Sequence, residues 1–431
     1  GRDRELRRLF GRILTGQSIA IIGDPHIGKT SLLMYLFDNE SRKSKIGNRL
    51  DHNFFSYLDA QTLNEVQTQA EFWLRALNPL QNELQNESEN RLSRVAERYE
   101  LAKNNNFGTF VLEKLFEELT KAGSRLILLL DEFDDFLTHP VLNSAEFYGG
   151  LRSFASRYPS AFSLVLAARK NLAQLNNLTQ EINPITQKID PLGSPYFNVF
   201  TEIRLNAWLK KVLPKLIDKS YGYFNSQDAE YIYKVSGLHP YLAQMAAGTL
   251  FDAHLDGHIG AERYKKAAQE LYEQSQHHFE DCWRSWTNES KKAITAVALN
   301  QIPRMVPNHN FLVSELTKNL DDFTPELVNL EKVGLLELDQ DGTWIIKQQA
   351  FVWWLTDELR RHVRDNSEFE TWLQSQELDG MLKMLTKQEK EVIGNTISEA
   401  LSTLGKGAMT LIEEMAKAFG EGAANALLPS D

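Results

Sequence analysis

One segment constrains the fold of this chain more than any other. Residues 23–30 read Gly-Asp-Pro-His-Ile-Gly-Lys-Thr and match the pattern GxxxxGK[ST]. A short apolar run, Gln17 to Ile22, precedes the segment, and apolar residues at helical spacing follow Lys29. Strand, glycine loop and helix together predict a loop whose backbone N–H groups close around phosphate oxygens at a helix N-terminus. This context disfavours the alternative, a chance match in an ordinary turn.

The loop predicts roles for its polar side chains. The ammonium of Lys29 would neutralise the terminal phosphates of a nucleotide, and the hydroxyl of Thr30 would bind Mg²⁺. The residues predicted to bind nucleotide here are Gly23, Asp24, Pro25, His26, Ile27, Gly28, Lys29, Thr30 and Ser31. The expected ligands are ATP or ADP together with Mg²⁺.

A second segment supplies what a phosphate loop lacks, a group that fixes the metal and one that activates water. The apolar run Leu126 to Leu130 ends in Asp131 and Glu132, so both would leave the C-terminal edge of a central strand. We predict that Asp131 orders the Mg²⁺ shell and that Glu132 is the general base. The alternative is an acidic surface turn, the interpretation we apply to Asp134 and Asp135.

A third strand ends at a cation. The run Phe162 to Ala168 is followed by Arg169, which could sense the γ-phosphate or could be an exposed arginine at a strand end. The predicted catalytic set is therefore Lys29, Glu132 and Arg169, with Thr30 and Asp131 as metal ligands. Arg152 and Arg157 could reach a neighbouring subunit's site, although solvated side chains are favoured.

The order of apolar runs predicts the fold class. Short runs at Gln17 to Ile22, Phe54 to Leu58, Leu126 to Leu130 and Phe162 to Ala167 alternate with helical patterns. This order is typical of an α/β P-loop NTPase with a parallel sheet, here assigned to residues 1–202, and the domain resembles the ASCE/AAA+ kind. A polar stretch of helical period, about residues 67–106, is predicted to be an insertion outside the sheet.

The rest of the chain predicts helical modules. We expect a helical lid domain at 203–285, a winged-helix domain at 286–365 and a C-terminal helical tail at 366–431. The winged helix would consist of helices at Lys291 to Leu299, Phe311 to Leu320 and Pro325 to Val333, followed by a hairpin. Its last helix carries Glu326, Glu331 and Lys332, a balance that favours a protein-interaction or autoinhibitory role over DNA contact.

The tail carries a periodic apolar pattern. A capping box at Thr386 to Glu389 predicts the start of a long helix. From Ile397 to Ala418, apolar residues alternate spacings of three and four, as in a coiled-coil seam, although Gly405 and Gly407 weaken such a helix. The seam could pair with a partner helix, lie on a membrane or pack against its own domain. An excess of acidic residues disfavours an anionic membrane.

Composition limits the number of domains and the classes of protein to which the chain could belong. The 431 residues predict about two to four domains, and the net charge of −11 opposes general affinity for nucleic acid. Cys282 is the only cysteine, which excludes an intramolecular disulfide and fits a cytoplasmic protein. No apolar run approaches the roughly 20 residues of a membrane span. Because the first residue is Gly1 rather than methionine, we expect the natural protein to extend upstream.

Together these segments resemble the STAND class of signal-transduction ATPases, relatives of the AAA+ and origin-recognition ATPases. The resemblance rests on the Gly1-Arg2-Asp3 start, the Walker A motif at 23–30, the Walker B motif at 127–132, Arg169 and the lid motif Gly237-Leu238-His239-Pro240. It implies that Arg2 and Pro240 frame the adenine. The turn holding His239 could also bring that ring over the base, although a buried packing histidine is nearly as well supported.

The resemblance also implies a function. Such proteins are switches that are closed with ADP, open with ATP to form homo-oligomers, and pass a signal to an effector protein, often in bacterial defence. Here Asp131 and Glu132 would support slow ATP hydrolysis. Two alternatives stay open: a DNA-associated AAA+-like ATPase that uses its winged helix on duplex DNA, and a scaffold that binds nucleotide without hydrolysing it.

Overall fold

The computed structural model describes residues 2–63, 66, 68–86, 90–181, 196–220, 222–305, 323–363, 366–376 and 386–420. Their contacts divide the chain into two compact units. The N-terminal unit contains residues 2–24 and 28–205, and the C-terminal unit contains residues 25–27 and 206–431. The four predicted domains and their finer boundaries stay a prediction.

A parallel sheet is the framework of the N-terminal unit. Its strands are β1 (Ser18–Ile22), β2 (Asn53–Asp59), β3 (Arg125–Asp131), β4 (Phe162–Ala168) and β5 (Phe200–Arg204). They are ordered β2-β3-β4-β1-β5, and every neighbouring pair is parallel. The predicted parallel sheet of a P-loop fold is therefore confirmed, and β4 lies between the strand of the phosphate loop and the strand of the acidic pair.

The sheet is covered by helices, because its central strands are apolar on both faces. All residues of β1 and β4 are buried, which explains why they read as continuous apolar runs. The helices of this unit are α1 (Asp3–Leu14), α2 (Lys29–Phe37), α3 (Asn39–Ile46), α4 (Gln69–Ala76), α5 (Asn78–Asn86), α6 (Ser93–Asn104), α7 (Thr109–Lys121), α8 (Ala145–Arg157) and α9 (Leu172–Glu181).

The polar stretch after β2 forms helices, as predicted, yet it does not stand apart from the domain core. Trp73 of α4 packs against Phe116 of α7 and Phe154 of α8, with ring centroids 6.3 and 5.6 Å apart. Trp73 also lies 6.0 Å from Phe162 of β4. Sparse but large aromatic residues thus join this stretch to the core that covers the sheet.

The edge strand β5 was not expected, since the sequence from Ile203 onward predicted helix. Its sequence, Phe-Thr-Glu-Ile-Arg, mixes polar and apolar residues, and only Ile203 is buried. An edge strand has one neighbour, so it does not need the unbroken apolar run of a central strand, and β5 lacks one. The prediction of helix at 203–204 is therefore wrong.

The C-terminal unit is mainly helical. Its helices are α10 (Leu213–Asp218), α11 (Ser226–Ser236), α12 (Pro240–Leu255), α13 (Gly260–Ser285), α14 (Asn288–Arg304), α15 (Thr324–Lys332), α16 (Gln349–His362), α17 (Asn366–Ser375), α18 (Lys387–Thr403) and α19 (Ala408–Gly420). Among the described residues, no helix combines the length and the apolar character that crossing a membrane requires.

The segment predicted to be a winged helix is described in part. Helices α14 and α15 cover the predicted first and third helices, and β6 (Leu336–Leu338) pairs antiparallel with β7 (Trp344–Ile346) as the predicted hairpin. The predicted second helix, Phe311 to Leu320, lies outside the described residues. The winged helix as a whole stays a prediction.

The predicted long terminal helix is wrong. It is broken into α18 and α19, because Gly405 and Gly407 adopt left-handed φ angles of 53° and 61°. Seam residues from both helices, including Ile397, Leu401 and Leu411, are buried in the core of their own unit. Of the three interpretations of the seam, packing against its own domain agrees with this burial.

Candidate nucleotide-binding site

The phosphate loop begins where β1 ends. The N–H of Gly23 donates to the carbonyl oxygen of Ala168 at 3.2 Å, which ties the start of the loop to the end of β4. Gly28 has a left-handed φ of 98° and is the N-cap of α2, a conformation that favours glycine. Because the first N–H groups of a helix lack intrahelical acceptors, the amides at the start of α2 are available to an anion.

The side chain of Lys29 folds back onto the backbone of its own phosphate loop. Its side chain is buried, and its Nζ donates to the carbonyl oxygens of Gly23 and Asp24 at 3.0 and 3.1 Å. Burial lowers the pKa of Lys29, and the negative charge of Glu132 is the largest influence in the opposite direction. Because β1 and β3 run parallel on either side of β4, the loop after β1 and the acidic pair at the end of β3 lie at the same, carboxyl-terminal edge of the sheet.

Asp131 is the last residue of β3 and is only 1% exposed. Its Oδ1 accepts the N–H of Glu132 at 2.9 Å, and its Oδ2 accepts the hydroxyl of Tyr57 at 2.9 Å. A carboxylate has about four lone-pair sites, so two donors leave acceptor capacity for a hard cation or its water. Tyr57 was missed by the sequence analysis.

Glu132 has an unusual backbone conformation. Its φ and ψ are 45° and 48°, in the left-handed region that non-glycine residues seldom occupy. Such conformations cost on the order of 1–3 kcal/mol and cluster at functional sites. Its Oε2 lies 3.3 Å from Nη2 of Arg169, so the predicted base and the predicted sensor form an ion pair.

Asp134 corrects the expectation of an acidic surface turn. It lies in a short 3₁₀ turn, Phe133–Thr138, and is only 9% exposed. Its Oδ2 accepts the N–H of Arg169 at 2.6 Å, and its Oδ1 accepts the N–H of Lys170 at 3.1 Å. Asp134 therefore fixes the backbone after β4. No local spacing in the sequence identifies Asp134, because its partners follow a different strand.

These contacts connect the predicted catalytic residues. Gly23 is bonded to Ala168, the next residue is Arg169, and Arg169 pairs with Glu132 beside Asp131. Thr30 and Ser31 lie in the first turn of α2, with exposed side chains. Burial raises the pKa of Asp24, and the positive charge of Lys29 is the largest influence that opposes the shift.

The remaining predicted site residues lie elsewhere. By their contacts, Pro25, His26 and Ile27 belong to the C-terminal unit, where the ring of His26 stacks on Tyr241 with centroids 4.8 Å apart. Arg2 belongs to the N-terminal unit, and its carbonyl oxygen accepts the N–H of Leu6 in α1.

His239 and Pro240 begin α12 in the C-terminal unit. His239 is the N-cap of that helix, and the preceding residue, Leu238, has a left-handed φ of 65°. The ring of His239 is buried, with its centroid 4.9 Å from that of His278, as the packing interpretation expects. The predicted adenine frame of Arg2, His239 and Pro240 draws on both units and stays a prediction.

The donor set fits a nucleotide with Mg²⁺. The loop offers backbone amides and an ammonium for phosphate oxygens, while Thr30 and Asp131 offer the hydroxyl and carboxylate oxygens that Mg²⁺ prefers. A strand–loop–helix phosphate site opposite an acidic strand end defines the P-loop ATPase class. Within that class, the chain belongs to the AAA-like domain family, which it matches over residues 12–341.

Several solved structures resemble the chain. It is similar to a Walker-type ATPase of Pyrococcus abyssi, with 14% identity and a TM-score of 0.47 over 82% of this chain and 95% of that one. It is similar to a STAND protein with a tetratricopeptide repeat sensor from Pyrococcus horikoshii, with 16% identity and a TM-score of 0.36. That match covers 90% of this chain and only 46% of the STAND protein.

A third similarity is to Drosophila ORC bound to DNA, with 12% identity and a TM-score of 0.40 over 82% of this chain and 86% of that one. No curated protein matches the chain.

Proposed function

We propose that this chain binds ATP with Mg²⁺, hydrolyses it slowly and acts as a STAND-type switch that couples nucleotide state to oligomerisation and signalling. One observation carries the proposal. The phosphate loop, Asp131, Glu132 and Arg169 are linked by contacts at one edge of the sheet. The resemblance to STAND proteins in the sequence motifs supplies the role of a switch, with bacterial defence as one setting.

Each residue has a defined task in this proposal. The ammonium of Lys29, now held by two loop carbonyls, would move to the terminal phosphates. Mg²⁺ held by Thr30 and Asp131 supplies charge neutralisation when it is bound. Glu132 would accept a proton from the attacking water, which forms the new bond to the γ-phosphorus as ADP leaves.

Arg169 is the residue proposed to report the γ-phosphate. Its guanidinium lies 3.3 Å from the carboxylate of Glu132, and its backbone is fixed by Asp134. If the γ-phosphate attracted Arg169, Glu132 would lose its ion-pair partner. Its carboxylate would then be free to accept a proton from the attacking water. Such an exchange of ion-pair partners would link nucleotide state to the position of the turn after β4, in keeping with phosphate-dependent switches.

The first experiment tests nucleotide binding. We expect Lys29→Ala to abolish measurable ATP binding, because no other described ammonium is bonded within the loop, while the thermal unfolding midpoint stays near that of the wild type. Lys45→Ala, on exposed α3, is the matched control and should bind normally. Unchanged nucleotide affinity in Lys29→Ala would refute the proposal.

The second experiment separates an ATPase from a scaffold. Glu132→Gln keeps the size of the side chain and removes the base, so it should bind ATP normally and lose at least about 100-fold in phosphate release, a typical general-base contribution. If the wild type and Glu132→Gln release phosphate at the same rate, the chain is a nucleotide-binding scaffold.

A further inference from the structure

We propose that Tyr57 is a positioning residue for Mg²⁺ binding, acting through Asp131. The inference rests on the proposed function, since it assumes that Asp131 helps to hold the metal of a bound nucleotide. It concerns a residue on a different strand, 74 positions before Asp131.

The sheet register explains how a tyrosine reaches this carboxylate. Tyr57 of β2 is paired with Leu129 of β3, and Asp131 lies two residues further along β3. Residues two apart on a strand face the same side, so Tyr57 and Asp131 are diagonal neighbours on one face. A long aromatic side chain spans that diagonal. Its hydroxyl lies 2.9 Å from Oδ2 of Asp131.

The two donors on Asp131 are not equivalent in origin. The Glu132 N–H on Oδ1 comes from the backbone and does not depend on the side chain at position 57. The Tyr57 hydroxyl on Oδ2 is a side-chain donor, and its ring is half-buried, 6.0 Å from the ring of Phe37. Without it, the described residues hold only Oδ1 of the carboxylate, through the Glu132 N–H, and the group gains freedom to rotate.

Freedom of that kind matters for a metal ligand. Groups that hydrogen-bond a metal-ligating side chain fix its orientation, and their loss typically costs about 10- to 100-fold in metal affinity or activity. The competing explanation is that the hydroxyl only satisfies a buried carboxylate and contributes to stability. The two explanations differ in what happens to Mg²⁺ dependence.

The test compares Tyr57→Phe with Tyr99→Phe. Tyr99 is 1% exposed in the same unit, so Tyr99→Phe also removes a buried hydroxyl, one that makes no hydrogen bond to Asp131. A fluorescent ATP analogue is titrated at increasing Mg²⁺ concentration and in EDTA, and thermal unfolding is followed in parallel. For Tyr57→Phe we expect the half-saturating Mg²⁺ concentration to rise about tenfold, with affinity in EDTA unchanged.

A double variant checks that Tyr57 acts through Asp131. In an Asp131→Asn background, adding Tyr57→Phe should cause no further rise in the Mg²⁺ requirement. The proposal is overturned if Tyr57→Phe shows the Mg²⁺ dependence of the wild type, even with a lower unfolding midpoint, or if its effect persists in full beside Asp131→Asn. A wild type that binds no Mg²⁺-nucleotide would instead refute the proposed function.

Discussion

His278 shows how burial controls the charge of a single side chain in the C-terminal unit. Its ring is buried on α13, with centroids 5.3 Å from Tyr241 and 4.9 Å from His239. Its Nε2 lies 3.7 Å from Sγ of Cys282. Burial lowers the pKa of His278 to about 3, and the nearby charge of His26 adds to the shift. The ring is therefore neutral in the folded protein at any pH near 7.

Acid should destabilise the C-terminal unit through this residue. A histidine that takes up its proton near pH 6.5 when unfolded, and near 3 when folded, stabilises the fold above pH 6.5 and loses that contribution as pH falls. By pH 4.5 the loss should be about 3 kcal/mol. We expect His278→Gln to lose less stability between pH 7 and pH 4.5 than the wild type, measured by chemical denaturation.

The control for this prediction is the neighbouring residue on the same helix. His277 is 94% exposed, so His277→Gln removes an exposed histidine and leaves the buried His278 in place. It should keep the acid sensitivity of the wild type. Equal acid sensitivity in His278→Gln and the wild type would show that protonation of other groups dominates.

At the level of single residues, the sequence predicted candidate site residues that lie in contiguous motifs. Lys29, Asp131 and Glu132 were proposed because each follows an apolar run at a fixed spacing. Tyr57 was missed, because its link to Asp131 depends on the pairing of two strands that are distant in sequence. Asp134 was misassigned for a related reason, since its partners are backbone amides of another strand end.

Among the elements, the break between α18 and α19 is the clearest case of local conformation overriding an apolar pattern. Gly407 lies against Asp357, whose Oδ1 accepts the N–H of Ala408 at 2.9 Å. A Cβ at Gly407 would clash with that oxygen, whereas a Cβ at Gly405 would meet nothing within 4 Å. Both glycines have left-handed φ angles.

This difference gives a matched pair of substitutions. Gly405→Ala should cost about 1–2 kcal/mol, the strain of a left-handed alanine alone. Gly407→Ala should cost about 3 kcal/mol, because it also crowds the hydrogen-bonded carboxylate of Asp357. Free energies of unfolding from denaturant titration test the difference. Equal costs for the two variants would mean that Asp357 moves aside freely.

Buried strands were predicted better than the most exposed one. Strands β1, β3 and β4 were predicted because both faces of a central strand are buried and its apolar run is unbroken. Strand β2 lies at one edge of the sheet, yet most of its residues are buried and its apolar run was recognised. Strand β5, at the other edge, was missed because its sequence mixes polar and apolar residues and only Ile203 is buried. The seam across α18 and α19 was predicted as apolar, but periodicity does not distinguish a partner helix from the chain's own core.

For the whole molecule, the proposed switch predicts self-association that depends on nucleotide. Glu132→Gln with ATP and Mg²⁺ should form larger particles by light scattering, because it would hold ATP without hydrolysing it. The same variant with ADP, and Lys29→Ala with ATP, should not. A scattering mass that stays monomeric under all these conditions would contradict the oligomeric part of the proposal, while leaving the ATPase part intact.

The overall composition places only broad limits on the function of the whole molecule. The net charge of −11 disfavoured general affinity for DNA, yet it does not exclude a local basic surface, so the DNA-associated alternative stays a prediction. A salt-dependent gel shift with duplex DNA distinguishes it from the switch.

The position of β4 in the sheet has a consequence for how substitutions act on this protein. Its carboxyl end holds the first residue of the phosphate loop through Ala168, and it carries the arginine that pairs with Glu132. A shift of this one strand would therefore disturb both the proposed phosphate loop and the proposed catalytic pair. Substitutions in β4 should therefore change nucleotide affinity and catalytic rate together. Substitutions in α2 or in the turn after β3 should change one of the two without the other.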